Sequence, residues 1–462
     1  MSKAKAEDTT QVMAGEATVV KRYIVKAKGF HGAPVGGYVQ FENGDRGIIR
    51  EVVDGVATIL NCDSETTKIG AHITLKSQKI AIGVGDEMLG QIVDPFGHEY
   101  HTGKQIGVHE MRPLFSKAPG IAERETLKDP LHTGVTVVDS MFPIVKGQRI
   151  AILGDSKSGK TSFLHQLAAY QATLDTILVF VLIGKKQVEV NSLALYLDTI
   201  GIRQRSVIVT ADILDSLAQS YMAPYAGCAI AENFWMNGKD VVIMYDDLSA
   251  HAKVYREISL IADANPGRDS YPGDMFYAHS SLLERAGKLR SNGKTLTALP
   301  VLLTPNDDIT AYLPTSIMSI TDGQLIFDLT TFRRNVRPAL NIGLSVSRVG
   351  GRVQTKKQKD MTRMTFKLLA DYREAEEFSH FGSDSSDDMK KTLQSGHDII
   401  EVFKQRKQEL YSIEQQEALL ASVLLAEGKP IDVGKLKEDL RAIEGERSPK
   451  VAHSKPRKDM GI

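Results

Sequence analysis

Little in this chain invites a covalent or metal-based reading. Its 462 residues include only two cysteines, Cys62 and Cys228, without the paired spacing of a disulfide framework or a zinc knuckle. Such a thiol-poor chain suits a reducing compartment. Lys plus Arg and Asp plus Glu both total 57, so the formal net charge is zero. That balance gives no bulk attraction to nucleic acid or to a membrane surface. No run approaches the roughly 20 apolar residues of a membrane-spanning helix. The first residues, Met1-Ser-Lys-Ala-Lys-Ala-Glu-Asp8, lack the apolar centre of a signal peptide. A cytosolic or peripheral protein is expected, linked to a membrane only through partners.

The remaining composition is that of a globular protein, with 42% hydrophobic and 25% charged residues. The length suggests about two to four domains. Residues 1–21 are small and polar and read as a flexible lead. Over 22–92, short β-rich pieces at 38–41, 47–50, 56–60, 72–75 and 79–82 alternate with turn signals such as Asn43-Gly44 and Asp54-Gly55. This spacing predicts a small β-barrel. Residues 93–358 read as one further domain, in which 93–150 is a turn-rich connector. Its apolar strand candidates at 149–153, 176–183, 206–210, 240–245 and 298–304 alternate with helical stretches. That alternation predicts a multidomain α/β chain whose central sheet is mainly parallel. Helical periodicity at 361–377, 398–403 and 409–427 predicts a helical domain over 359–445. The tail 446–462 is basic, aperiodic and read as disordered.

The clearest motif is Gly154-Asp155-Ser156-Lys157-Ser158-Gly159-Lys160-Thr161, followed by Ser162. It follows a strand candidate and opens a helix, which is the context of a phosphate-binding loop. Backbone N–H groups there can face phosphate oxygens, Lys160 can reach the β- and γ-phosphates, and Thr161 can ligate Mg²⁺. A strand ending in Asp246 supplies a candidate acid for indirect Mg²⁺ contact. ATP or ADP with Mg²⁺ is the expected cofactor. Hydrolysis also needs a group to activate water, commonly a carboxylate at the end of the 176–183 strand. The sequence there is Gly184-Lys185-Lys186, with no carboxylate until Glu189. Ammonium ions are poor bases at neutral pH, which favours binding without turnover. A third feature, Ser345 to Gly351, sets Arg348 beside a Gly-Gly pair. It reads either as a guanidinium presented to a neighbouring subunit's phosphate or as an ordinary surface arginine.

These motifs, with Gln148-Arg149, Met222 to Cys228, Tyr245 to Ser249, Pro266 to Arg268, Leu282 to Ala286 and Ser319 to Gln324, resemble the α subunits of F-type ATP synthases over roughly residues 35–430. The resemblance implies a non-catalytic nucleotide subunit. It would alternate in a ring with a catalytic β subunit around a rotating γ shaft, and dock to peripheral-stalk subunits of the delta or b type. It also implies a peripheral position on the cytoplasmic face of a bacterial inner membrane. Arg348 would be an arginine finger reaching the β-subunit site, and Ser345 matches a position important for activity. Phe332 and Arg337 match residues lining the nucleotide pocket, and Gln405 one near the adenine. Departures lie in Ser156-Lys157-Ser158 within the loop, in Lys407 where a second adenine-side Gln is usual, and in Lys185 where α subunits carry Gln. Lys185 is placed either to contact the γ-phosphate or to replace a magnesium-linked contact. The departures read as a divergent lineage or a specialised paralogue. Two rival readings share the core. A catalytic export or translocation ATPase is opposed by the missing Glu at 185. A nucleic-acid helicase is opposed by the few aromatic residues of the barrel segment, so no nucleic-acid partner is expected.

Overall fold

The computed structural model describes residues 13–379 and 387–445. The chain forms two compact units. One holds the residues up to Gln354 together with Arg406–Leu410, and the other holds Thr355–Gln405 and the chain from Tyr411 onward. The expected basic tail at 446–462 lies outside the described residues, as do residues 1–12.

The first unit opens with a closed six-stranded barrel. Its strands are β1 (Ala14–Lys21), β2 (Ile24–Lys28), β3 (Tyr38–Phe41), β4 (Arg46–Val53), β5 (Val56–Asn61) and β6 (His72–Ser77), joined in the order β1-β2-β5-β4-β3-β6. Alternation sets the inside and outside: along β3, Val39 and Phe41 are buried while Tyr38 and Gln40 are half-exposed. Val25, Ile49, Ile59 and Ile73 join them in the barrel core. The barrel corrects the sequence reading at both ends. Residues 14–21, expected in a flexible lead, form β1, which closes the barrel by pairing with β2 and β6. Only Ala17 of that strand is buried, so it lacks the apolar alternation that betrays a strand. At the other end, the candidate at 79–82 becomes Ala81–Val84, which pairs with Glu110–Pro113 outside the barrel.

The barrel is packed onto the nucleotide domain. Ile48, Leu60 and Cys62 belong to the same buried cluster as the central sheet. The Ser216 hydroxyl donates to the Cys62 carbonyl at 2.5 Å, and Arg50 donates to the Tyr255 hydroxyl at 3.0 Å.

The central sheet runs in the order Val346–Ser347, Gly323–Phe327, Ala151–Gly154, Thr295–Leu303, Asp240–Asp246, Thr176–Lys185, Ser206–Asp212, Ile92–Val93. Along that path all neighbours are parallel except the first pair. Strand Thr176–Lys185 is buried over its first eight residues, as both-face coverage requires. One cover is the helix Leu217–Met236, apolar on nearly all sides and buried from Ser220 through Trp235. Its Glu232 meets Arg285 in a fully buried pair, with Nε and Nη2 donating to the two carboxylate oxygens at 2.7 Å each. Arg285 also donates to the Leu114 carbonyl at 2.7 Å, so both charges are satisfied.

The second unit is built from helices Lys356–Ser379, Asp387–Phe403, Ile413–Ala426 and Val433–Gly445. Among the described residues, no helix is long and apolar enough to cross a membrane.

Candidate nucleotide site and arginine edge

The phosphate loop leaves the buried strand Ala151–Gly154 and enters helix Lys160–Gln171. Two glycines shape it. A Cβ at Gly154 would fall 2.4 Å from the Phe327 carbonyl oxygen, so only glycine lets the loop pass the neighbouring strand. Gly159 starts the helix at φ 104°, in the left-handed region that glycine enters without cost. Asp155 ties the loop down: its Oδ2 accepts the Asn306 N–H at 2.8 Å and its Oδ1 accepts that of Ser156 at 2.5 Å. Lys160 Nζ donates to the carbonyls of Gly154 and Asp155, both at 2.7 Å, which folds the ammonium back over the loop. Burial pulls that ammonium below its usual range, opposed by Asp246 and Asp247.

The Ser158 hydroxyl is fully buried and has no hydrogen-bond partner among the described residues. An orphaned buried donor beside a helix N-terminus and a lysine fits an anionic oxygen acceptor, which phosphate supplies. The sequence-expected residues Gly154 to Ser162 are thus brought together in one turn between a strand end and a helix N-terminus.

The neighbouring strand ends tell a different story. Strand Asp240–Asp246 pairs with Thr176–Lys185, with Asp246 in register with Leu182. Lys185 lies at the end of its strand, and its Nζ sits 2.8 Å from Asp246 Oδ1 and 3.5 Å from Asp247 Oδ2. Burial disfavours the Lys185 ammonium, yet the two carboxylates outweigh burial and hold its pKa above the usual range. Burial raises the Asp246 pKa, and the ion pair with Lys185 opposes that rise. Asp247, which the sequence reading did not single out, caps the next helix by accepting the Ala250 N–H at 2.7 Å. Glu189 is used in the same way: its carboxylate accepts the Lys186 N–H at 3.1 Å as the N3 acid of helix Gln187–Thr199. Thr161, Lys185 and Asp246 line one cleft of about 190 Å³, walled by Phe180 and Leu182.

Comparison with known proteins decides the family. The model described as "ATP synthase alpha/beta family, nucleotide-binding domain" matches residues 134–347, and the one described as "ATP synthase alpha/beta chain, C terminal domain" matches residues 354–444. The chain belongs to the ATP synthase alpha/beta family. It is similar to the ATP synthase subunit alpha of Clostridium botulinum (strain Eklund 17B / Type B), 41% identical over 392 residues, covering 84% of this chain and 78% of the relative. It is also similar to that of Lactiplantibacillus plantarum, 41% identical over 409 residues, covering 88% of this chain and 81% of the relative. The subunit of Neorickettsia sennetsu is 39% identical over 417 residues, 88% of this chain and 82% of the relative.

Within this ATP synthase alpha/beta chain, the remaining sequence-selected residues of the first unit divide between the two ends of the sheet. Phe332 lies on helix Leu329–Arg333, which follows the strand paired with the phosphate-loop strand, Phe327 against Gly154. The Arg337 guanidinium sits over the Phe332 ring at 4.2 Å, a flat cationic shelf at the phosphate-loop end. Gln405 is buried and belongs to the other compact unit. Lys407, in the short segment that joins the first unit, places its Nζ 4.6 Å from the Tyr196 ring centroid. Tyr196 in turn stacks on His165 at 4.3 Å. Sequence reasoning missed this stack, because it is assembled from two helices and a distant loop and has no local spacing.

Arg348 is at the opposite end. It follows the edge strand Val346–Ser347, where Ser347 pairs with Gly323, the first residue of strand Gly323–Phe327. The whole strand separates it from Gly154, on the order of 15 Å. The side chain is exposed and rests on the Thr321 and Met318 carbonyls at 3.3 Å each. Its backbone is fixed: Arg348 N–H donates to Asp322 O at 2.9 Å, and the Asp322 carboxylate takes Arg149 Nη2 at 2.8 Å and Nε at 3.0 Å. Ser345 is buried and accepts the Ile326 N–H at 3.0 Å on its hydroxyl, so it anchors the arginine segment to the sheet.

Proposed function

We propose that the chain is the nucleotide-binding, non-hydrolysing α-type subunit of a rotary F-type ATP synthase or ATPase. It alternates in a ring with a catalytic β-type subunit around a γ-type shaft, and it contacts the membrane only through the complex and its stalk. In a bacterium that places it on the cytoplasmic face of the inner membrane. ATP or ADP occupies the cradle at 154–162, with Phe332 and Arg337 beside it. Arg348 serves the partner's site, where a guanidinium can stabilise charge developing on the transferred phosphate.

One observation carries this reading. At the strand end where a water-activating carboxylate would stand, Lys185 presents an ammonium ion-paired to Asp246 at 2.8 Å. An ammonium held charged has no lone pair with which to accept a proton. Arg348 supports the same division of labour, because its distance from its own loop leaves it free to act elsewhere. The test is ATP hydrolysis by the purified chain alone and by the chain reconstituted with its catalytic partner. Turnover is expected only in the second case; robust turnover by the chain alone would overturn the proposal and favour the export-ATPase reading.

A further inference from the structure

Of the expected magnesium contacts, Thr161 directly and Asp246 indirectly, the acidic one does not fit its task. Mg²⁺ demands near-octahedral oxygen ligation and usually relies on one or two protein oxygens plus phosphate and water. Of the two expected here, the Asp246 carboxylate already holds an ammonium at 2.8 Å. The neighbouring carboxylate of Asp247 is divided between the Ala250 N–H at 2.7 Å and Lys185 at 3.5 Å. Thr161 is left as the one open protein oxygen, without an uncommitted carboxylate to offset a divalent charge. The Lys185 and Asp246 side chains are only 20% and 13% exposed, and Phe180 and Leu182 wall their cleft. In such surroundings, a divalent ion brought to the same carboxylate would repel the ammonium strongly.

We infer that Lys185 is a resident counter-cation, seated on Asp246 in place of a divalent metal, so that this site takes ATP or ADP without Mg²⁺. The inference rests on the nucleotide reading above. An ammonium has three donors. Asp246 and Asp247 account for two, and among the described residues the third is free for a phosphate oxygen across the cleft from Thr161. Lys160 supplies the second positive charge. The metal's usual tasks, neutralising phosphate and linking it to the acidic strand end, are thereby taken over by a side chain that cannot dissociate.

The test is a calorimetric titration of the full-length chain with ATP, in excess Mg²⁺ and in EDTA, alongside Lys185→Gln and Asp246→Asn. For the unaltered chain the two dissociation constants should agree within about threefold. Lys185→Gln should weaken metal-free binding by about tenfold or more, with Mg²⁺ restoring part of the loss. Asp246→Asn should be as indifferent to Mg²⁺ as the unaltered chain; a magnesium effect present in the unaltered chain and lost in this variant would mark Asp246 as a metal contact and overturn the inference. A gain of about tenfold or more from Mg²⁺ in the unaltered chain would overturn the inference and leave nucleotide binding intact. That titration needs no variant, so it stands even if a substituted chain misfolds. Absence of ATP binding in both buffers would instead overturn the nucleotide reading, and this inference with it.

Discussion

At the carboxyl end of the parallel strands, the phosphate loop and its surroundings are locked by internal partners. Lys160 lies on two loop carbonyls and Lys185 on two carboxylates. At the amino end, some strand-length away, Arg348 is exposed and its charge faces only backbone carbonyls among the described residues. Its backbone, however, is held by Asp322, Arg149 and, through the adjoining strand, Ser345. A rigidly mounted guanidinium without a carboxylate of its own suits a group whose anionic partner lies on another chain. A cation already neutralised suits a site that holds its ligand and leaves it unchanged. The contrast suggests that binding and catalytic assistance are separated along one sheet.

The largest expected effect lies at the arginine end. Arg348→Ala should leave ring assembly intact and lower ATP turnover of the reconstituted complex by about 10³-fold or more. Steady-state kinetics on matched assemblies checks this, and Arg348→Lys should recover little, because a point charge does not replace a planar fork.

A smaller effect belongs to the loop end and concerns pH. Burial, with a lesser push from Lys407, lowers the His165 pKa to about 4. The unfolded chain takes up that proton near 6.5. Between these values the unfolded state binds more protons, so stability is fully present above about pH 6.5 and falls as pH drops towards 4. The loss from His165 is about 2–3 kcal/mol, allowing for its partial exposure. Buried His251, also at about 4 and 3.2 Å from His279, acts in the same direction. Melting curves across this range should show the decline, and His165→Phe should flatten part of it.

The smallest effect returns to the arginine end. Ser345→Ala removes the acceptor of the buried Ile326 N–H and should cost about 1–2 kcal/mol in denaturant unfolding. If Ser345 mounts Arg348 as described, the same variant should also reduce turnover of the complex while leaving ATP binding by the chain unchanged.

Much of this contrast is legible in the sequence. The phosphate loop announces itself because its chemistry needs glycines and a lysine at fixed spacing. The parallel strands announce themselves because burial on both faces demands unbroken apolar runs such as 176–183. Lys185 stands out because a cation replaces the residue type that water activation requires. What the sequence hides depends on partners distant in the chain. Strand Ala14–Lys21 buries only Ala17 and is held by its pairing with β2 and β6. Strand Gly323–Phe327 is short and begins with Gly-Gln, yet it separates the loop from the arginine. The ion pairs Lys185–Asp246 and Arg149–Asp322 join residues far apart in the chain, and only the sheet register brings them together.

The separation is tested most directly by comparing Lys160→Met with Arg348→Ala in the same reconstituted complex, with ATP turnover measured side by side. The account predicts that Lys160→Met weakens nucleotide binding by this chain but leaves turnover within about threefold of the unaltered complex, while Arg348→Ala lowers it by about 10³-fold. Loss of turnover in Lys160→Met with near-normal turnover in Arg348→Ala would contradict it.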